Sequence, residues 1–258
     1  MKILIVGGGP SGIVVLKTLL EANQRFACKF TPILLEAESD IGGTFNYRSY
    51  ENADLVSSKQ LTCFSDFRLP LDHPDHLSLP EYVEYLKRYC THFDLWKYIH
   101  LSRRVTSVTR LEHSRGHKIK YCDETTGSPC EPMCCDAIAV CTGLHVTPWT
   151  PDIPGIDNVI KNGGTVMHSS SYKQRRQLAG KRVMVLGCGE TSMDIVYEAI
   201  QAGCPEVVLS HRGGWLSIPK VLSDFEVMGL RYEGNLPIDG SWTYESHGIF
   251  LNSLMQVL

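Results

Sequence analysis

Residues 2–12 of the chain read KILIVGGGPSG, so an apolar run leads directly into a glycine-rich turn. An apolar pattern at helical spacing follows over residues 13–20. This order of strand, turn and helix is the context that a pyrophosphate-binding fingerprint requires. In such a turn Gly7 allows the tight bend, Gly9 lets the backbone approach a pyrophosphate, and Gly12 lets the helix pack against the strand.

The predicted helix begins at the turn, where its free N–H groups and its dipole favour a bound phosphate. The next apolar strand, residues 33–35, ends at Glu36, and a carboxylate at that place suits a ribose 2′-hydroxyl. The alternative is a tight glycine turn that binds no ligand. The residues predicted to bind a first dinucleotide are Gly7, Gly8, Gly9, Pro10, Ser11, Gly12 and Glu36.

A second fingerprint lies in the carboxyl-terminal half of the chain. Residues 181–192 read KRVMVLGCGETS, again an apolar strand followed by a glycine-rich turn, and an apolar helix face follows over residues 193–200. The alternative is an α/β repeat without a ligand. The residues predicted to bind a second dinucleotide are Gly187, Gly189, Thr191, Ser192, Met193 and Asp194.

The tip of the following strand distinguishes between the two nicotinamide dinucleotides. The apolar strand over residues 207–209 ends in Ser-His-Arg, so Arg212 stands where an acid would favour NADH. An arginine at that place suits a 2′-phosphate, which predicts NADPH; the alternative for Arg212 is a solvated surface charge. Two dinucleotide sites in one chain indicate that electrons pass from one nucleotide to the other.

The composition argues against several other classes of function. The chain has 258 residues, and its formal net charge of −3 gives no reason to expect nucleic acid or an anionic membrane as a partner. Met1 leads directly into the first strand and no apolar run is long enough to cross a bilayer, so we expect no signal peptide, no transmembrane segment and a cytoplasmic location. The ten cysteines include no Cys-x-x-Cys pair and no zinc-site spacing, so we expect free thiols and no metal site.

The pattern of elements predicts an α/β fold with two Rossmann-like dinucleotide-binding domains. We assign residues 1–150 to the first domain and residues 151–258 to the second, which is incomplete, with a proline-containing linker over residues 148–155. A helix is expected over residues 80–98. Further strands are expected over residues 105–108, 118–121 and 137–140.

Several stretches together resemble the flavin-containing monooxygenases. The most specific spans residues 164–172, GTVMHSSSY, which is similar to the family's Phe-x-Gly-x-x-x-His-x-x-x-Tyr signature and stands just before the second fingerprint. Asn162 stands where that signature usually has phenylalanine. The other stretches that carry the resemblance are the first fingerprint with Glu36, DIGGTF at residues 40–45, CFSDF at residues 63–67 and VCTG at residues 140–143.

The resemblance implies that the first domain binds FAD and that the second binds NADPH. Phe45 stands where the family often has tryptophan, and Val56 stands where these enzymes usually carry an active-site asparagine. His168 is expected to position the domains or the cofactor. The residues that the resemblance adds at the cofactors are Gly43, Thr44, Phe45, Val56, Ser57 and His168.

The resemblance also implies a reaction. Such enzymes use NADPH to reduce the flavin, which then reacts with O2 and transfers one oxygen atom to a soft nucleophile, usually nitrogen or sulfur; related enzymes attack a ketone instead. Because the flavin carries this chemistry, the protein binds, orients and excludes water, and the sequence assigns no catalytic residue. The expected function is an NADPH-dependent flavin monooxygenase that acts with O2 on a small-molecule substrate.

Two other functions remain open at this point. One is a pyridine-nucleotide flavin reductase, although a disulfide reductase of that class would normally show a cysteine pair. The other is a truncated, inactive relative that binds only a nucleotide or a partner, because the chain stops soon after the second strand of the NADPH domain. An incomplete sheet is expected to favour self-association, and the apolar tail over residues 249–258 is a candidate to cover it.

Overall fold

The computed structural model describes residues 1–27, 29–112, 115–144, 147–213 and 219–239. The chain divides into two compact units. The first unit contains Met1–Ser49 and Pro80–Asp152, and the second contains Tyr50–Leu79 and the chain from Ile153 onward. Each unit combines helices with a parallel sheet, which confirms the predicted α/β class.

The helices are α1 (Pro10–Arg25), α2 (Thr44–Tyr47), α3 (Lys59–Thr62), α4 (Leu79–His92), α5 (Ile156–Lys161) and α6 (Glu190–Gln201). The strands are β1 (Lys2–Val6), β2 (Thr31–Leu35), β3 (Ile99–His100), β4 (Arg103–Arg110), β5 (His117–Asp123), β6 (Ser128–Pro129), β7 (Met133–Cys135), β8 (Ala137–Val140), β9 (Arg182–Leu186), β10 (Glu206–Ser210), β11 (Val221–Val227) and β12 (Leu230–Pro237). Short 3-10 helices lie at Trp96–Tyr98, Ser169–Ser171 and Arg175–Gln177.

A parallel sheet in the order β3-β2-β1-β8 forms the centre of the first unit. β1 pairs with β2 and β8, so Leu4 lies opposite Ile33 on one side and Ile138 on the other. The apolar runs of β1 and β2 suit strands that are covered on both faces. The carboxyl end of β1 leads into the first glycine turn, and open α/β sheets bind their ligands at that edge.

A second, antiparallel sheet packs against the parallel sheet within the first unit. In it β5 pairs with β4, β6 and β7. Ile119 and Cys135 from this sheet form one buried cluster with Leu4 and Leu35 from the parallel sheet. β4, β5 and β8 lie where the sequence predicted strands.

The helix predicted over residues 80–98 ends earlier than the sequence pattern indicated. α4 stops at His92, and Asp94 has a left-handed backbone conformation with a φ of 51°. The Leu95 N–H donates to the Cys90 carbonyl oxygen at 2.9 Å, which closes the last turn of the helix. The apolar spacing continues into the following 3-10 helix. For that reason the sequence pattern predicted a helix end that is too late.

The second unit contains the two-stranded parallel sheet of β9 and β10, connected by α6. Ile195 and Ala199 of α6 lie in a buried cluster with Tyr172 and Leu178. An antiparallel hairpin of β11 and β12 follows. The sequence did not predict this hairpin, because polar residues interrupt the apolar pattern of β11.

The grouping of the segment 50–79 was not expected from its place in the sequence. It lies inside the predicted first domain, yet it forms part of the second unit. The assignment of residues 1–150 to an FAD domain and of residues 151–258 to an NADPH domain stays a prediction. The apolar tail over residues 249–258 lies outside the described residues.

Three further features bear on the class of protein. Among the helices of the described residues, none is both long enough and apolar enough to span a membrane. The same part of the chain contains no group of three His, Cys, Asp or Glu side chains arranged to hold a metal ion. The cysteines in it are free thiols. The cytoplasmic location and self-association stay predictions.

Candidate dinucleotide-binding sites

The first glycine turn is held so tightly that two of its positions exclude any side chain. Gly7 has a φ of +110°, and a Cβ there would lie 2.3 Å from the Cys141 carbonyl oxygen. A Cβ on Gly12 would lie 1.9 Å from the Gly7 carbonyl oxygen. Both glycines are therefore required for α1 to approach β1 and β8.

Gly9 is different, because the direction in which its Cβ would point is open. A Cβ on Gly9 would meet no atom within 4 Å. Gly9 is the N-cap of α1, no side chain caps the helix there, and its first turn contains no acidic residue. The first turn of α1 therefore offers backbone N–H groups and a positive dipole beside open space, an arrangement that suits a pyrophosphate.

Glu36 lies directly at this turn, immediately after β2. The residue is 6% exposed. One oxygen accepts a hydrogen bond from the Gly8 N–H, and the other accepts from the Glu38 N–H at 2.9 Å. A carboxylate has about four lone-pair sites, so Glu36 retains acceptor capacity for a ribose hydroxyl.

The structure brings a second pair of glycines to the same place. The Gly42 N–H donates to the Gly8 carbonyl oxygen at 3.0 Å. Gly43 has a φ of +55°, and a Cβ there would lie 3.4 Å from the Gly9 Cα. α2 begins after Gly43 with Thr44, which is exposed, and the Phe45 ring meets the Tyr82 ring edge-on at 4.9 Å between centroids.

The second glycine turn repeats the geometry of the first with looser packing. Gly187 has a φ of +115°, and a Cβ there would lie 3.4 Å from the Ser192 hydroxyl oxygen. Gly189 is the N-cap of α6, and a Cβ on it would meet no atom within 4 Å. The Ser192 and Met193 N–H groups donate to the Gly189 carbonyl oxygen at 2.9 and 3.1 Å. The turn therefore also presents a helix amino terminus to open space.

Arg212 follows the end of β10 by two residues, as the sequence predicted. Its side chain is exposed. Within the described part of the chain it forms no ion pair, so its guanidinium is available to a phosphate.

Asp194 is engaged by a residue that the sequence did not single out. The Tyr50 hydroxyl donates to the Asp194 Oδ2 at 2.5 Å. Burial raises the pKa of the Tyr50 hydroxyl, and the hydrogen bond and charge of Asp194 raise it further. Tyr50 also contacts the Thr191 side chain in the first turn of α6.

Glu198 lies one turn further along α6 and was also not predicted. It is 4% exposed. Arg175 binds its two oxygens through Nε and Nη2 at 2.8 and 2.9 Å, and the Asn52 amide lies 3.3 Å from Oε2. The Arg175 guanidinium holds the pKa of the Glu198 carboxyl below its usual value. Only the distances between segments remote in sequence reveal this pairing.

His168 caps the 3-10 helix at Ser169–Ser171. Its Nδ1 accepts from the Ser170 N–H at 3.1 Å and lies 2.9 Å from the Ser170 hydroxyl oxygen. The neutral ring therefore carries its proton on Nε2. Four residues later Tyr172 is 1% exposed, so the His-x-x-x-Tyr spacing joins a local cap to a core residue.

Val56 and Ser57 lie in the segment that belongs to the second unit. The Val56 side chain is 51% exposed. The Ser57 hydroxyl oxygen lies 2.5 Å from that of Thr62. The position that the resemblance gives to an asparagine is therefore an exposed apolar side chain.

A model of the flavin-binding monooxygenase-like family matches residues 1–227. The chain belongs to this family. Its fold and both of its glycine turns agree with that membership. FAD and NADP(H) are the cofactors of the family.

Three similar proteins show how much of a family member the chain represents. Monooxygenase cfoE of Aspergillus candidus is 49% identical over 226 residues, which cover 85% of this chain and 37% of that protein. Monooxygenase ptmN of Penicillium ochrochloron is 44% identical over 265 residues, with coverage of 98% and 41%. Dimethylaniline monooxygenase [N-oxide-forming] 2 of Macaca mulatta is 30% identical over 227 residues, with coverage of 83% and 41%. The chain spans about two fifths of the length of these relatives.

Solved structures share the fold. Tmm from Pelagibacter sp. strain HTCC7211 superposes with a TM-score of 0.75 at 19% identity and covers 83% of this chain and 52% of that chain. S-allyl-L-cysteine S-oxygenase from Allium sativum gives 0.72 at 20% identity, with coverage of 84% and 52%. OTEMO in complex with FAD and NADP gives 0.60 at 25% identity, with coverage of 80% and 38%. These likenesses confirm the predicted α/β fold with two dinucleotide-binding domains.

Proposed function

We propose that this protein is an FAD- and NADPH-dependent monooxygenase that uses O2 to oxygenate a nitrogen or sulfur atom of a small molecule. The observation that supports this most strongly is the pair of glycine turns whose middle glycine faces open space. A Cβ at Gly9 or at Gly189 would meet no atom within 4 Å. One relative is named as N-oxide-forming, which supports a soft nucleophile as the substrate.

The residues around Gly9 fit FAD. The first turn of α1 supplies N–H donors to the pyrophosphate, and Glu36 supplies acceptors to the ribose. Thr44 and Phe45 follow Gly43, which lies against Gly9, so they stand next to this site. In this proposal Gly7 and Gly12 act only by holding the turn closed.

The residues around Gly189 fit NADPH. The first turn of α6 supplies donors to the pyrophosphate, and Arg212 supplies a planar, charged fork to the 2′-phosphate. Glu190, at the first position of α6, is exposed and can turn toward solvent. His168 is proposed to keep its Nε2–H available to the dinucleotide.

The flavin, when bound, supplies the hydride-accepting and oxygen-activating chemistry. The side chains of this chain bind and orient the two dinucleotides and exclude water from the reacting atoms. No titratable side chain is assigned a proton-transfer step, and this agrees with a reaction whose hard chemistry belongs to the cofactor.

The test is an oxygenation assay of the purified flavin-loaded protein with NADPH, O2 and either a tertiary amine or a thioether. NADPH oxidation, peroxide release and oxygenated product are measured in the same reaction. We expect an N-oxide or a sulfoxide to form, with part of the NADPH consumed going to peroxide because the 258-residue chain excludes water from the flavin poorly. NADPH oxidation that yields peroxide with no oxygenated product contradicts the proposal.

A second candidate is a pyridine-nucleotide flavin reductase, and one observation favours it. Val56, half exposed, is apolar where the family usually carries an asparagine, so its side chain offers no hydrogen bond to a cofactor. The same assay separates the candidates, because a reductase produces peroxide alone. Val56→Asn is then expected to shift the output from peroxide toward product.

A further inference from the structure

The segment Tyr50–Leu79 is hydrogen-bonded to α6 through side chains that have no part in the proposed function. The Tyr50 hydroxyl donates to Asp194 at 2.5 Å, and the Asn52 amide lies 3.3 Å from Glu198. Asp194 and Glu198 are four residues apart, so they lie on one side of α6. The Tyr50 ring also packs against the Tyr172 ring, with 5.7 Å between centroids.

The same segment is held from a second direction. Glu51 Oε2 accepts from the Arg175 backbone N–H at 2.8 Å, and the Glu51 N–H donates to the Lys173 carbonyl oxygen at 2.8 Å. The Arg175 side chain forms the bidentate pair with Glu198. The carboxylate of Glu198 is thus fixed by charged and amide donors in a buried place, where losing a partner is costly.

The same segment contains Val56 and Ser57, the two residues that the resemblance places at the cofactors. Leu55 is 5% exposed, and its N–H donates to the Leu77 carbonyl oxygen at 2.8 Å. Val56 and Ser57 come next in the chain. The residues that contact α6 are therefore joined to Val56 and Ser57 by only a few positions of backbone.

We propose that Asp194 and Glu198 are positioning residues that couple the phosphate-binding turn of α6 to the segment carrying Val56 and Ser57. NADP+ bound at the turn would stabilise the first turn of α6, where Tyr50 contacts Thr191 and Asp194, and so slow the opening of the segment. This inference rests on the proposed function. In this inference Asp194 binds the Tyr50 hydroxyl. It does not bind a phosphate, because its negative charge would repel one.

The test is hydrogen–deuterium exchange of the full flavin-loaded chain with and without NADP+, read at the Glu51, Ala53 and Leu55 amides. In the wild type we expect NADP+ to slow exchange there. Tyr50→Phe is expected to accelerate exchange about tenfold without NADP+, because a hydrogen bond to a charged group is lost, and to abolish the NADP+ effect. Asp194→Asn keeps an acceptor for Tyr50 and should retain the effect.

Two further measurements decide the outcome. Tyr47→Phe is the matched control, since it removes a hydroxyl that donates to the Asp40 carbonyl oxygen at 3.1 Å in the first unit and should leave the NADP+ effect unchanged. Calorimetry measures NADP+ binding separately. NADP+ binding with no change in exchange at Glu51, Ala53 and Leu55, or with the effect intact in Tyr50→Phe, overturns this inference alone. A wild type that does not bind NADP+ overturns the proposed function and the inference together.

Discussion

Gly7 and Gly9 belong to one turn, but only Gly7 is enclosed by neighbouring atoms. A Cβ at Gly7 would lie 2.3 Å from a carbonyl oxygen, whereas a Cβ at Gly9 would touch nothing within 4 Å. Gly7 is therefore needed for the fold itself, and Gly9 is free to serve a ligand. A Cβ at Gly189 would likewise touch nothing within 4 Å, so the second turn also has a position where binding can be changed without disturbing the packing.

Substitution at the two open glycines should remove the two cofactors one at a time. Gly9→Leu is expected to prevent FAD binding and to leave NADP+ binding intact, because its side chain fills the space that the pyrophosphate needs. Gly189→Leu is the reciprocal control and should lose NADP+ but keep FAD. Flavin absorbance and NADP+ calorimetry check both variants, and stoichiometric flavin in Gly9→Leu would refute the assignment of this turn.

Arg212 should determine the preference for NADPH over NADH. A charge-assisted, bidentate contact to a phosphate contributes roughly 1.5–3 kcal/mol, so Arg212→Gln is expected to lower the preference about tenfold to a hundredfold. The rates of flavin reduction at subsaturating NADPH and NADH provide the measurement. Arg182→Gln, another exposed arginine of the same unit, should leave the ratio unchanged. Equal rates with both coenzymes in the wild type contradict the prediction.

Among the elements, α6 has an exposed amino-terminal turn and buried later turns. Its first turn faces the open space beside Gly189, and its later turns carry Ile195 and Ala199 into the core of the second unit. Glu198 adds a buried charge to that inner face, and Arg175 compensates for it. The later turns of α6 are therefore held in the core of the second unit, while the first turn remains accessible to a phosphate.

The Arg175–Glu198 pair should make the stability of the second unit depend on pH. The pKa of Glu198 is lowered in the folded state, so its contribution is present above the unfolded pKa and is lost as the pH falls through the folded value. We expect the wild type to be more stable than Arg175→Gln at neutral pH. The difference in the free energy of unfolding should narrow as the pH falls below about 4.5, the ordinary pKa of a glutamate, as measured by denaturant unfolding. Arg182→Gln, which breaks an exposed pair with Glu206, should show no such difference at any pH.

The junction of the two sheets in the first unit should be sensitive to lost volume. Leu4 is 1% exposed and lies in a cluster with Ile119 and Cys135 from the second sheet. Leu4→Ala is expected to lower the free energy of unfolding by about 2–5 kcal/mol through lost burial and a cavity. Val108→Ala, whose side chain is 48% exposed, should change it by less than about 0.5 kcal/mol. Equal effects of the two substitutions would contradict the core assigned here.

The sequence predicted the elements that local signals define and missed those that depend on distant partners. Both glycine turns follow from strand, glycine and helix patterns that are contiguous in the chain, and the structure has β1, α1, β9 and α6 at those places. The roles of Tyr50 and Glu198 depend on contacts across more than 140 positions of sequence, so no local pattern could reveal them. The early end of α4 depends on the left-handed Asp94, which apolar spacing does not detect.

At the largest scale, the chain has two compact units and belongs to the flavin-binding monooxygenase-like family. The segment 50–79 connects the two halves of the first unit in sequence but groups with the second unit in space. We propose that FAD and NADPH bind to this chain and that a hydride passes from NADPH to the flavin.

The most direct test is the absorbance of the purified, FAD-loaded protein as NADPH is added without oxygen. We predict that the oxidised flavin spectrum disappears in proportion to NADPH, that NADH is much less effective, and that the spectrum returns when O2 is admitted. A protein that retains no flavin absorbance after incubation with FAD and removal of the free FAD would contradict the account. Bound flavin that excess NADPH does not reduce would contradict it as well.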